Sequence, residues 1–153
     1  MTRTTSLAAT LALATFAVAG ALAMTACSST PPQDLDLALA KPSSAGVYRV
    51  ALLPPAQPVA INQMHSWQVK LATADGSPVH GAHFAVGGGM PQHGHGLPTQ
   101  PRVTRELGDG TYQLEGMKFS MPGWWEVKLA IEAPAGADQV TFNTVVDATP
   151  VRP

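Results

Sequence analysis

Fourteen glycines and fourteen prolines are spread through a chain of 153 residues. Both types break helix interiors, glycine through backbone entropy and proline through its missing N–H and its ring clash. The chain therefore reads as an all-β body cut into short lengths. Runs rich in Val, Trp, Phe, Tyr and Leu lie between the breaks and predict strands over Val47–Leu53, Ile61–Thr73, Val79–Val86, Arg102–Leu107, Thr111–Phe119, Trp124–Glu132 and Gln139–Val146. Trp67, Val69 and Leu71 share one face by period-2 alternation, as do Ala82, Phe84 and Val86, and Trp125, Val127, Leu129 and Ile131. Asp75-Gly76 and Asp109-Gly110 are hairpin dipeptides, and Pro54-Pro55 and Pro122-Gly123 interrupt any ladder. Strands with one apolar face pack as two sheets. The expectation is an immunoglobulin-like β-sandwich of about seven strands, with Trp67, Phe84, Tyr112, Trp125 and Leu129 meeting in one core. Gly110 and Tyr112 read as a structural turn and corner.

Ahead of this body, Arg3 precedes an uncharged apolar run from Leu7 to Met24, the pattern of a helical signal peptide. The run ends in M-T-A-C-S-S, and small residues before the unique Cys27 resemble the lipobox of bacterial lipoproteins, with Met24 standing where Leu is commonest. This predicts a signal peptide over 1–26, a flexible tether over 27–46 carrying lipidated Cys27, and a folded domain over 47–153. An ordinary secretory signal and an uncleaved membrane anchor are the alternatives. One cysteine forms no internal disulfide. With 9 basic and 10 acidic side chains the chain lacks the positive footprint that nucleic acid requires. The expected setting is the bacterial cell envelope, with the membrane reached through the lipid and the domain facing the periplasm or exterior.

One gap breaks the strand rhythm. Gly87–Pro101 (G-G-G-M-P-Q-H-G-H-G-L-P-T-Q-P) has no strand pattern yet is about as long as loops that carry function. If consecutive strands run up and down, this loop shares an end with the turns near Pro55 and Pro122. That end gathers Met64, His65, Met90, His93, His95 and Met121. Thioether with imidazole is a copper ligand set, whereas calcium needs oxygen clusters and structural zinc a fuller set of Cys and His. The bland alternatives are core packing for Met117 and Met121, a hydrogen-bonded rim position for His65, and loop stiffening for His93 and His95. His80 and His83 fall outside the site. The tether enters the first strand at the Asp75-Gly76 end, so the Met/His end is expected to face away from the membrane.

From Asn62 to Glu132 the chain resembles the YtkA-like family, related to FixH-like domains, through N-Q-M-H-S-W-Q-V, P-V-H-G-A-H-F-A-V, G-G-M-P-Q-H-G-H-G-L-P-T-Q-P and G-D-G-T-Y-Q-L-E-G-M-K-F-S-M-P-G-W-W-E-V. The resemblance implies a small exported or membrane-anchored sandwich, with roles near metal handling or respiratory-enzyme assembly, and it carries no catalytic residue. Two functions stand side by side: binding or transfer of copper at the Met/His end, and a metal-free interaction module that docks another envelope protein. Catalysis is not expected. No thiol remains after lipidation, no serine has a nucleophile-elbow setting, and Glu115, Glu126 and Glu132 are not paired for acid–base work.

Overall fold

Residues 30–148 are described by a computed structural model. They form nine strands: β1 (Ala40–Pro42), β2 (Tyr48–Leu53), β3 (His65–Thr73), β4 (His83–Met90), β5 (His95–Gly96), β6 (Arg102–Gly108), β7 (Thr111–Met117), β8 (Gly123–Ala133) and β9 (Gly136–Val146). All pairings are antiparallel, in one sheet ordered β1-β2-β3-β7-β6 and a second ordered β5-β4-β8-β9. The alternation seen in the sequence decides which side chains face inward. Tyr48, Val50 and Leu52 of β2, Trp67, Val69 and Leu71 of β3, and Trp125, Val127, Leu129 and Ile131 of β8 are all buried. They join residues of β7 and β9 in one cluster between the sheets. Each such side chain contributes roughly 1.5–3 kcal/mol by leaving water. Phe84 of β4 meets Tyr112 of β7 edge-on at 5.0 Å, one contact that ties the second sheet to the first. Phe84 is itself only half-buried. The Tyr112 hydroxyl donates to Val79 O (2.7 Å) and accepts from Ala82 N (3.1 Å), which fastens the crossing between the sheets.

The strand count exceeds the expected seven because the chain makes strands where side chains leave no pattern. The glycines read as the start of a loop continue β4 to Met90, paired with β8 as far as Gly89 opposite Glu126. A Cβ on Gly88 would lie 2.0 Å from Glu126 O. Only a residue without a side chain allows that approach, and three glycines have no periodicity to read. Two further residues, His95 and Gly96, pair back onto Met90 and Gly89 as β5. Other boundaries move by a few residues: β3 starts at His65 rather than Ile61, β4 at His83 rather than Val79, and β9 at Gly136 rather than Gln139.

The segment expected to be a flexible tether over 27–46 is packed in its described part. Cys27 and the signal peptide over 1–26 lie outside the described residues. From Thr30 the chain runs along the free edge of β9, where Asn143 donates through Nδ2 to Asp36 O (2.9 Å) and Leu39 packs on the core. Ala40–Pro42 pairs with β2, and a turn at Ser43–Gly46 leads into Tyr48. Asp138 at the base of β9 holds this turn. Its carboxylate accepts from Ser43 Oγ (2.5 Å), Ala45 N (3.1 Å) and Val47 N (3.2 Å). Backbone and hydroxyl donors favour the charged form, and the Ser43 hydroxyl does most to hold the Asp138 carboxyl down to about 2. A depressed folded-state value stabilises the fold above the unfolded carboxylate range near 4, and that contribution is lost as pH falls toward 2. Asp138→Asn is therefore expected to lower the urea midpoint at pH 7 and to flatten its fall between pH 4 and 2. An unchanged midpoint at pH 7 would show that the turn is held without the carboxylate.

Candidate functional site

Strand directions alternate as the up-and-down path requires, so the loops over 54–64, 91–101 and 118–122 share one end of the sandwich. The structure divides the six expected ligands. Met90 closes β4 with 1% exposure and belongs to the core; its Cε would lie 3.0 Å from a Cβ on Gly123. Met121 packs partly on the core, and its carbonyl accepts from Trp125 Nε1 at 3.1 Å. His93 and His95 are both exposed, with ring centroids 6.0 Å apart and planes inclined at 34°. His93 and Met121 line one groove of about 440 Å³, together with Thr30, Pro31 and Val145–Ala148. These four residues come together.

Met64 and His65 do not join them. Met64 is 63% exposed and lines a separate concavity with Ser66, Thr99, Arg102 and Glu115. His65 donates through Nε2 to Ala60 O (2.8 Å) and takes the rim role. The register of β3 with β7 shifts between His65 and Trp67, at the start of the strand that carries both residues. Met117 is fully buried, as core packing requires. His80 pairs with Glu106, whose carboxylate also accepts from Gly81 N (3.0 Å), and the Gly81 amide first and His80 second lower the Glu106 carboxyl. His83 is exposed at the start of β4.

The histidine loop is exposed yet firmly held. His93 N and Gly94 N donate to Met90 O (3.1 and 3.0 Å), and Leu97 N donates to Gly88 O (3.2 Å). The His95 ring meets Trp125 edge-on at 5.6 Å, and Trp125 meets Phe119 at 5.3 Å, so the loop rests on a column of aromatic rings rooted in the core. His95 Nδ1 donates to Gly96 O (3.0 Å). A carbonyl only accepts, so in the neutral ring the lone pair is on Nε2. The sequence pattern assigned Trp125 to the core but gave no sign that it supports the loop. Thr30 was also missed: Gln92 donates through Nε2 to Thr30 O at 2.9 Å, a contact across 62 positions that carries no local signal. The loops of this end, over 54–64, 91–101 and 118–122, contain one charged side chain, Lys118. Among the described residues there is no group of three or more His, Cys, Asp or Glu that could hold a metal ion.

These features define a small two-sheet all-β domain that presents a stiff, uncharged histidine loop at one end. The chain belongs to the YtkA-like family, whose match covers residues 43–130, more than half of its length, from the Ser43 turn to the middle of β8. In keeping with that membership it is a non-catalytic domain. No curated protein matches the chain. A solved structure described as the ZirS C-terminal domain aligns over 94% of this chain and 86% of that one, at 12% identity and a TM-score of 0.39, a likeness too low to carry an argument.

Proposed function

We propose that the protein is an envelope lipoprotein, acylated at Cys27, whose immunoglobulin-like sandwich is a metal-free interaction module that docks another envelope protein through the loop over 91–98. The observation that carries this reading is the contrast between exposure and order in that loop. Pro91 to Gly96 are exposed, yet three backbone hydrogen bonds and the Trp125 contact hold them. A loop ordered before binding loses little conformational entropy when a partner arrives. The family resemblance points to respiratory-enzyme assembly as the setting. A photo-crosslinking residue at Pro91 is expected to trap a partner in intact cells, and the same residue at Ala135, at the other end, to trap none. Adducts at both positions or at neither would overturn the assignment.

One observation favours copper as a second reading. Metal–nitrogen bonds are about 2 Å long, so two imidazoles 6.0 Å apart, centroid to centroid, are spaced for one ion between them. Met121 could add a thioether from the neighbouring groove wall. On this reading the wild-type domain binds one Cu(II), with Trp125 emission quenched as His95 takes the ion. Affinity falls on acidification because protons compete for the imidazole nitrogens. The His93→Ala, His95→Ala double variant is expected to lose binding by at least tenfold, measured by titration at neutral pH. Equal binding by both proteins would eliminate copper at this loop.

A further inference from the structure

The described chain begins beside the histidine loop. Gln92 Nε2 donates to Thr30 O at 2.9 Å, and Thr30 and Pro31 line the same groove as His93 and Met121. From there the chain descends along β9, turns at Ser43–Gly46 under the grip of Asp138, and only then enters β2. Cys27 is three residues before Thr30. At 3.3–3.6 Å per residue, three residues span at most about 11 Å. The eleven-residue β8 is about 33 Å long at ~3.3 Å per residue and runs from this end to the other. No path of three residues reaches the far end. The packed segment over 30–46 therefore removes the flexible tether on which the expectation of an outward Met/His end rested.

We propose that in the acylated protein the His93–His95 end is turned toward the bilayer surface, with the loops over 54–64, 91–101 and 118–122 facing the headgroups. The inference rests on acylation of Cys27, the reading given above. The chemistry of the end agrees with this placement. Its three loops contain a single charged side chain, Lys118, and are rich in Pro, Gly, Gln and Met. It therefore approaches zwitterionic headgroups without desolvating a row of charges, and it has no basic cluster to seek anionic lipid. A partner for the histidine loop then has to be reached within the plane of the membrane, because the bilayer covers the approach from below.

The test uses the full-length protein, purified from a bacterial host and reconstituted in phosphatidylcholine vesicles containing a lipid whose headgroup carries a gadolinium polyaminocarboxylate, a hard centre that the exposed imidazoles do not ligate. A nitroxide is placed in turn at Gln63→Cys and Gln57→Cys, both exposed in the loop over 54–64, and at Ala74→Cys and Ala135→Cys, both exposed at the opposite end. Relaxation of the nitroxide by headgroup gadolinium is expected to be several-fold stronger at 57 and 63 than at 74 and 135. Equal relaxation at the two ends, or stronger relaxation at 74 and 135, overturns the orientation. Intact mass of the same samples separates the two failures. An acylated Cys27 with unordered labels defeats the orientation alone, whereas absence of acyl mass defeats the anchor and the orientation with it. Two labels at each end keep the result readable if one variant fails to fold.

Discussion

Gly88→Ala is expected to unfold much of the domain at room temperature. The new methyl carbon would lie 2.0 Å from Glu126 O and 3.2 Å from Val127 Cα, both backbone atoms of the central strand β8. No rotamer change relieves a clash between backbone and Cβ. Moreover, φ at this position is 142°, where L side chains rarely go. Relief requires β4 to move off β8, which would break the pairing from His83 to Gly89 and lift Met90 from the core. The cost is set at about 4 kcal/mol or more, the upper tail of single-site effects, against a total stability of roughly 5–15 kcal/mol for ordinary domains. Gly87→Ala is the matched control. Its Cβ would meet nothing within 4 Å, so its urea midpoint should stay near wild type. Equal midpoints for the two variants would show that β4 does not approach β8 this closely.

Trp125→Ala is expected to cost about 3–5 kcal/mol, the range for removing a large aromatic from a packed core. The ring is fully buried, packs edge-on against Phe119 and supports His95. Its Nε1 bond to Met121 O is lost with it. The same change should raise amide exchange at Gly94 and Leu97, because the loop loses the ring it rests on. Trp124→Ala serves as the comparison. That side chain is half-exposed and donates through Nε1 to Asn143 Oδ1 at 3.0 Å, so its loss should cost about 1 kcal/mol and leave the loop unchanged. Similar losses at 124 and 125 would contradict the inward parity of β8.

Much of the architecture was legible because it rests on short-range rules. Period-2 faces placed Trp67, Val69, Leu71, Trp125, Val127 and Leu129 inside, since successive side chains of a strand point to opposite faces whatever the strand pairs with. The up-and-down path correctly grouped Met90, His93, His95 and Met121 at one end. It placed Met64 and His65 at that end as well, but an end is wider than a site: Met64 lines a separate concavity with Thr99 and Arg102, and His65 is bonded to Ala60 O. Gly87–Gly89 were unreadable as strand because glycine has no side chain to alternate. Their place in β4 is decided by how closely β8 approaches.

The sequence by itself determined an all-β body, its inward faces, its turns and an uncharged loop bearing two histidines. Only the tertiary structure decided that Met90 is buried in the core, that Trp125 supports the loop, and that residues 30–46 run back along β9 to begin beside His93. The physical reason is range. Alternation, turn chemistry and charge content act over a few neighbouring residues. The contacts of Gln92 with Thr30, Asn143 with Asp36 and Asp138 with Ser43 join residues 62, 107 and 95 positions apart, and they exist only once both sheets have closed on their common core.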